Sequence, residues 1–309
     1  MAIDSGDADA PDAAPAPARS VEGHDPPERG EPEHGHPADA PIPRGQQIAE
    51  HVRYRETVEA SYQSAEARDA WAAAAPALRA EWEAHKQRYP DREHAPSTTL
   101  PDGGWVGDGN RRLSPEQNAE AAKCAADLRD EAIERIGPAM ERVEAADPGR
   151  RLAGQEHMLK GEDRLKEKMA DELRAPGVTV RHALDKIADG VRFTLEYQAE
   201  DYAEGVLADV GRITAEGFQL IKLKNLWHAE QYKGVNSQWR VPETGTRCEV
   251  QFHTAESLEA KELTHEAYER IRGGTSSPAE DSELEDFQRR ANGLLVIPPG
   301  TDRIRDFPE

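Results

Sequence analysis

Hydrophobic positions in the first third of the chain recur mostly near helical spacing. They stand among charged residues between Gln46 and Arg88, a pattern typical of amphipathic helices that pack on a neighbour or partner. Pro76 follows an alanine run and lacks the amide hydrogen that a helix interior uses, so it predicts a break into two helices. The apolar positions are Ile48, Val52, Val58, Tyr62, Trp71, Leu78 and Trp82.

A turn-rich stretch separates these helices from the next ones. Residues 90–113 combine proline, glycine, aspartate and asparagine, which predicts a linker. Ser114 is followed at once by a proline and, three residues later, by Gln117. That order is the signature of a capping box at a helix start. It predicts a helix that runs to about Ile136, followed by a shorter one over 138–146.

Beyond residue 151 helical and strand patterns alternate. Residues 157–174 predict a helix in which Lys160, Arg164 and Lys168 share one stripe, because they are four residues apart. Residues 201–213 predict another helix that begins at an acidic cap. The positions expected to face inward in that second helix are Val206, Leu207 and Val210.

Apolar and polar residues alternate in several segments of this second half, which predicts strands over 187–195, 218–223, 234–239 and 248–253. The last of them is the clearest, because the two-residue period separates its faces. Cys248, Val250 and Phe252 fall on one face, and Glu249, Gln251 and His253 fall on the other. Two helices are expected to close the chain, one over 257–272 and one from the Ser277 cap.

Composition limits where a core can form. Residues 1–44 are mostly Ala, Pro, Asp, Glu, Gly and His, so they predict a disordered acidic tail that buries too little to offset its ordering entropy. The net charge of -21 over 309 residues argues against general binding to nucleic acid or membranes. The two cysteines are too few for a disulfide framework. Without a membrane-length apolar run or a signal-peptide pattern, the expected location is the cytoplasm, with signal-independent export left open.

Against this acidic background, residues 218–254 concentrate positive charge. The region contains Lys222, Lys224, His228, Lys233 and Arg240, and it closes on the strand that carries Glu249. Such a local concentration in an acidic chain indicates an anion to hold, and a phosphate chain is the candidate. A carboxylate beside it is a candidate metal ligand or base.

Five short segments, in order, carry a family resemblance. They are LKGEDRLKEKM at 159–169, DGVRF at 189–193, KGVNSQW at 233–239, EVQFHT at 249–254 and KELTHEAYERIR at 261–272. EVQFHT is similar to a Glu-hydrophobic-Gln-hydrophobic-Arg-Thr strand, and the last segment to an acidic/His/Tyr helix. Together they resemble the synthetase domain of the RelA/SpoT nucleotide pyrophosphokinases.

The resemblance covers about residues 152–274 and implies an α+β fold, in which helices flank a mixed, nucleotidyltransferase-like sheet. The predicted organisation is an acidic tail over 1–44, a helical region over 45–150, the pyrophosphokinase-like domain over 151–275, and a C-terminal helix and tail over 276–309. The implied reaction moves the β,γ-pyrophosphate of ATP to the 3′-hydroxyl of an acceptor nucleotide, with Mg²⁺.

By the match, Asp189 is a metal ligand, and Glu249 orients or deprotonates the acceptor hydroxyl and shares the metal. Mg²⁺ prefers carboxylates and keeps several waters, which suits such a pair. The cations that would surround the phosphates are Lys160, Arg164, Lys168, Arg192, Lys222 and Lys224. The acceptor would meet Asn225, Tyr232, Lys233, Asn236, Trp239, Gln251 and His253.

The metal-holding aspartate has two candidates. Strict alternation would put Asp189 on the same face as Val191 and Phe193, where an unpaired carboxylate is costly. It can serve only at the entrance of the strand or beside a bulge. The family's aspartate lies farther before its arginine than Asp189 does before Arg192, so Asp185 competes with it.

The chain departs from the family pattern at the acceptor. Val235 stands where guanine-specific members place a stacking tyrosine, Trp239 replaces a histidine, and His253 stands where an arginine is common. Stacking would pass to Tyr232 or Trp239. A guanine or adenine nucleotide, the 3′ end of tRNA, and a catalytically inactive binding module therefore all stay open. No hydrolase domain is recognised, which suggests a toxin or effector with an antitoxin or immunity partner; the oligomeric state is open.

Overall fold

A computed structural model describes residues 65–90, 95–274 and 276–308, and it describes no side chains at positions 65–68. The predicted acidic tail over 1–44, and residues 46–64 of the helical segment predicted over 46–88, lie outside these residues. Within the described part of the chain, no helix is both long and apolar enough to cross a membrane.

The first described helix, α1 (Ala65–Arg88), runs through Pro76 without a break. The prediction that this proline divides it into two helices was wrong. One side of α1 is buried in a core of its own with residues from the C-terminal helices. The indole nitrogens of Trp71 and Trp82 donate to carboxylates of Glu259 and Glu266 at 2.6 and 2.9 Å. This tertiary packing offsets the hydrogen bond that proline removes.

Residues predicted as a linker form a small sheet instead. Its antiparallel strands are β1 (Thr98–Thr99), β2 (Trp105–Gly107) and β3 (Arg111–Leu113). Trp105 is 1% exposed, and its indole nitrogen donates to Asp163 Oδ1 at 3.0 Å. Gly109, at φ 65°, sits in the turn between β2 and β3. The turn-forming residues therefore join strands, and one tryptophan anchors the small sheet to the main core.

The next two helices agree closely with the prediction. Helix α2 (Pro115–Glu131) begins in a complete capping box at Ser114, continues through a π-helical turn at Ala132–Ile136, and leads into α3 (Gly137–Ala145). Strand β4 (Arg150–Ala153) comes next, followed by α4 (Glu162–Glu172) and α5 (Val180–Asp185). Helix α4 is shorter than the predicted 157–174.

The main sheet contains β4 and four later strands in the order β4-β5-β8-β7-β6. The pair β5–β8 is parallel, whereas the other neighbours are antiparallel. The predicted α+β fold with a mixed sheet flanked by helices is confirmed. The later elements are β5 (Arg192–Tyr197), α6 (Tyr202–Ala215), β6 (Gln219–Asn225), β7 (Val235–Arg240), β8 (Arg247–Thr254), α7 (Ala255–Gly273) and α8 (Pro278–Gly293).

The two faces of this sheet differ in character. Val250 and Phe252 of β8 are buried in the core with residues of α2, α3, α4 and α6. The opposite face carries the polar residues of β5, β6, β7 and β8, and α7 packs on β5 and β8. The predicted separation of two faces in β8 is confirmed.

Helix α6 corrects one prediction about the core. Val206 is buried as expected, but Leu207 is 37% exposed. The buried face instead includes Asp209, whose carboxylate accepts from the Tyr197 hydroxyl at 2.7 Å and lies 2.7 Å from Arg150 Nε. A buried polar network thus occupies the interior where the sequence pattern suggested only apolar residues.

Candidate functional site

The polar face of the sheet is an ordered grid of side chains. Arg192, Glu249, Gln238 and Lys222 are paired across β5, β8, β7 and β6. Residues paired in register point to the same face, and neighbouring strands are ~4.8 Å apart, so this row spans about 14 Å. The next row contains Thr194, Gln251, Asn236 and Lys224. Lys222 and Lys224 therefore lie at the opposite edge of this face from Arg192.

At the Arg192 end, two lysines converge on Asp189. This residue lies in a 3-10 turn directly before β5, which is the strand-entrance position that the sequence required. Lys168 Nζ lies 2.8 and 2.7 Å from its two carboxylate oxygens, and Lys160 Nζ lies 3.4 Å from Oδ2. Burial would raise the pKa of Asp189, but the two ammonium groups outweigh it and leave that pKa below its usual value.

Three other predictions about this region have different outcomes. Lys160 precedes α4, so the stripe predicted for Lys160, Arg164 and Lys168 does not form on one helix. Arg164 is mostly exposed and pairs with Glu167 at 2.7 Å. Asp185 ends α5, is half exposed, and has Arg181 Nε at 3.8 Å. Of the two candidate aspartates, Asp189 is the one that contacts the lysines.

Glu249 lies at the start of β8, where its backbone amide donates to Val191 O at 2.9 Å. Burial raises the pKa of its carboxyl, and the charge of Asp189 adds to that rise, whereas the Gln251 hydrogen bond and Arg192 lower it. Gln251 Nε2 donates to Glu249 Oε1 at 3.0 Å. The other amide atom, Gln251 Oε1, is buried without a hydrogen-bond partner among the described residues. This site therefore combines a carboxyl group that can take up a proton with an amide oxygen that can accept a hydrogen bond from a ligand.

The two carboxylates suit Mg²⁺ in one respect. The charge of Asp189 raises the pKa of Glu249, and a divalent cation held by these carboxylates would relieve that repulsion. Within the described residues no group of three or more His, Cys, Asp or Glu side chains is arranged to hold a metal. A metal here would therefore rely on these two carboxylates together with waters and phosphate oxygens, as Mg²⁺ commonly does.

The predicted acceptor residues divide into two groups. Tyr232, Asn236, Gln251 and His253 lie together on or beside the polar face. The Tyr232 hydroxyl donates to Asn236 Oδ1 at 2.6 Å and lies 2.8 Å from His253 Nε2. On the other side of the ring, Nδ1 lies 2.9 Å from Ser257 Oγ. His253 is 0% exposed, and burial holds its pKa well below the usual value, so it is neutral.

The second group has structural contacts. Trp239 is 0% exposed on the core face, and its indole nitrogen donates to Ser237 Oγ at 2.7 Å. The suggestion that Trp239 stacks on an acceptor base was therefore wrong, because the two-residue period turns it away from the polar face. Lys233 Nζ donates to the carbonyls of Trp227 and Ala229 at 2.9 and 2.7 Å, so it closes its own loop.

Asn225 and Lys224 connect β6 to the C-terminal segment. Asn225 Nδ2 donates to the carbonyls of Thr301 and Ile304 at 2.8 and 3.1 Å. Lys224 Nζ lies 3.1 Å from Asp306 Oδ2, and Leu223 exchanges backbone hydrogen bonds with Phe307. In this structure Lys224 is paired with protein and Asn225 supports a tail.

Gly234 fits against the buried histidine in a way that no other residue could. It has φ 150°, and an added Cβ would lie 2.8 Å from His253 Cε1 and 3.1 Å from Phe252 O. We expect Gly234→Ala to lower the free energy of unfolding by about 1–3 kcal/mol, because it combines a clash with an unfavourable backbone conformation. Urea titration followed by circular dichroism measures this loss.

Gly217 offers a matched control for that variant. It also has positive φ, at 92°, but an added Cβ would meet nothing within 4 Å. Gly217→Ala should therefore cost less than Gly234→Ala. Equal losses at the two glycines would contradict the proposed close packing between Gly234 and His253.

Sequence reasoning overlooked one cation that the fold brings to the site. Lys261 lies on α7, close enough to Arg192 and Glu249 for their charges to affect its pKa, which burial lowers to about 8. His265 and Tyr268 follow on the same helix. Burial lowers the pKa of His265 and raises that of Tyr268 to about 12. The four-residue spacing of Lys261 and His265 is the signal that could have identified them as neighbours.

Comparisons with known proteins give structural neighbours, but no match to a family model or to a curated protein. Small alarmone synthetase 1 from Bacillus subtilis is 12% identical, with a TM-score of 0.40 over 57% of this chain and 92% of that one. The same synthetase bound to its product pppGpp gives 13% identity and a TM-score of 0.44, over 60% and 97% of the two chains.

A GTP pyrophosphokinase family protein from Streptococcus pneumoniae is 16% identical, with a TM-score of 0.35 over 58% of this chain and 87% of that one. These neighbours come from the class of proteins that the sequence resembles.

Proposed function

We propose that this chain transfers pyrophosphate from ATP to the 3′-hydroxyl of a purine nucleotide, an alarmone synthesis of the (p)ppGpp or (p)ppApp type. The observation that carries this proposal is the convergence of two carboxylates and three cations at one end of the polar face. Asp189 and Glu249 supply the negative groups, and Lys160, Lys168 and Arg192 the positive ones.

These cations suit the demands of the reaction. A pyrophosphoryl group that passes between oxygens needs alignment and charge neutralisation more than covalent help. Lys168 and Lys160 approach the same carboxylate from two segments that precede β5 in the chain. The cluster is therefore built before substrate arrives, and the lysines are placed to bind phosphate oxygens at little cost in side-chain ordering.

Glu249 is the proposed base. Its raised pKa makes it a better proton acceptor than an ordinary exposed carboxylate. Glu249 also lies on the same face of the sheet as the predicted acceptor-binding residues Gln251 and Asn236, which form the next row. Gln251 holds the carboxylate through its Nε2. Mg²⁺, when bound by Asp189 and Glu249, would add positive charge beside the phosphates.

The acceptor side favours a small nucleotide over tRNA. Of the two aromatic residues suggested to stack on the base, Tyr232 is the one near the polar face, because Trp239 lies in the core. Tyr232 is held by Asn236 and His253. Binding of tRNA depends largely on phosphate contacts over a wide basic surface, and the net charge of -21 opposes it.

Label transfer tests the proposal. The protein is incubated with γ-labelled ATP, Mg²⁺ and, in turn, GDP, GTP, ADP, ATP or tRNA. Transfer of label to a small nucleotide is the expected result. Label on tRNA would replace the proposal with the RNA-directed reaction. Transfer to none of these acceptors would overturn it in favour of a binding module.

A further inference from the structure

Helix α7 carries Lys261 over the polar face of the sheet, two turns after its cap at Thr254. The side chain is half-buried. Its ammonium group has no hydrogen bond or ion pair with any described residue, although it lies near Arg192, Glu249 and Glu262. An unpaired ammonium in a partly buried place is unfavourable unless a ligand completes it.

Arg192 likewise has a charged group without an ion-pair partner among the described residues. Its guanidinium is half-buried and makes no hydrogen bond or ion pair within the described ranges, and it repels Lys261. Lys160 is also near, because it, Arg192 and Lys261 all lower the pKa of His265. Among the described residues, two cations without ion-pair partners thus lie near each other where α7 packs on β5 and β8, in a strongly acidic chain. An anion with several oxygens would satisfy both.

Position 253 does not provide this charge. His253 follows Gln251 on the polar face, but it is fully buried, neutral, and held by Tyr232 and Ser257. Lys261 lies close enough to lower the pKa of His253. Lys261 of α7 therefore supplies positive charge near this part of β8, where His253 supplies none.

We propose that Lys261, together with Arg192, binds a phosphate group of the substrate polyphosphate, supplying from α7 the charge that His253 does not supply from β8. The inference rests on the proposed function, because it adds a phosphate-binding residue to that same site. The ligand chemistry is a di- or triphosphate, which belongs to either the donor or the acceptor nucleotide.

The first test is binding of inorganic pyrophosphate, measured by calorimetry at pH 7. Lys261→Met keeps an unbranched side chain, one heavy atom shorter, and removes its charge. We therefore expect the Kd to rise about tenfold or more, as for loss of one charge-assisted hydrogen bond. Lys261→Arg should bind like the wild type. Lys123→Met is the matched control, because Lys123 is 74% exposed and pairs with Asp127 on α2, and it should leave the Kd unchanged.

The pH dependence gives a second readout. The charged and titratable groups around Lys261 are Arg192 of β5, Glu249 and His253 of β8, Glu262 and His265 of α7, and Lys160. Lys261 has a pKa of about 8, so its charge is present below pH 8 and is lost as the pH rises through that value. Wild-type affinity should fall between pH 7 and 9, and Lys261→Arg should keep its affinity over that range.

Two further arms identify the source of the phosphate. Weaker binding of α,β-methylene-ATP to Lys261→Met, with GDP unaffected, would assign the group to the donor, and the reverse would assign it to the acceptor. Unchanged pyrophosphate binding by a folded Lys261→Met would overturn this inference, even if the wild type transfers label. Lys261-dependent pyrophosphate binding by a protein that transfers no label would instead overturn the proposed reaction and keep the anion site.

Discussion

Replacing Glu249 with glutamine should reduce pyrophosphate transfer by about 10²–10⁴-fold, the range that general-base catalysis contributes. Glutamine has nearly the same shape, so the fold should persist, while the proton acceptor is lost. Initial rates of label transfer at saturating ATP measure the effect. Glu120→Gln, an exposed change on α2, should keep full activity.

The same carboxylate sets an expected pH profile. Its deprotonated form is required, and its folded-state pKa lies above the usual value because of burial. The rate should therefore be full above that raised pKa and should fall as the pH decreases through it. Substantial activity in Glu249→Gln, or a rate that increases toward acid pH, would show that Glu249 is not the base.

The second large expected effect is a loss of stability. It concerns Asp209, which lies beneath the core face of the sheet. Asp209 is 0% exposed. It accepts from Tyr197 and Arg212 at 2.7 and 2.6 Å, and Arg150 Nε lies 2.7 Å away. Asp209→Ala would remove the buried carboxylate beside Arg150 Nε, although Arg150 Nη1 would keep Asp147 Oδ2 at 3.2 Å. Breaking a buried pair on one side costs about 3–5 kcal/mol.

Urea unfolding monitored by circular dichroism measures that loss, with Asp201→Ala as the control. Asp201 is exposed at the start of α6 and makes no capping hydrogen bond from its side chain, so its replacement should change stability by less than about 0.5 kcal/mol. A loss below about 1 kcal/mol for Asp209→Ala would contradict the described network.

Local sequence patterns predicted much of the main sheet and its polar face. Alternation in β8 correctly assigned Glu249, Gln251 and His253 to one face, because a strand's two-residue period needs no knowledge of its neighbours. The capping box at Ser114 likewise located the start of α2. The cost of burying an unpaired carboxylate restricted the predicted location of Asp189 to the strand entrance. The structure places it there.

The wrong predictions arose where contacts between residues far apart in the sequence determine the structure. Pro76 remains inside a helix because Trp71 and Trp82 pack on α7 and α8. Residues 98–113 become strands because Trp105 reaches Asp163, 58 positions later. The position of Lys261 at the site could not be predicted from local sequence, because it depends on how α7 crosses the sheet.

The pairing of Phe307 with Leu223 has a consequence for association between copies of this chain. Strand β6 is the last strand of the sheet, and its outer backbone groups could otherwise pair with a strand from another molecule. The C-terminal segment occupies part of that row, through Leu223 and through the Asp306 bond to the Asn225 amide. A second chain would have to displace this segment before it could extend the sheet at β6, so the segment opposes strand pairing between copies at this edge.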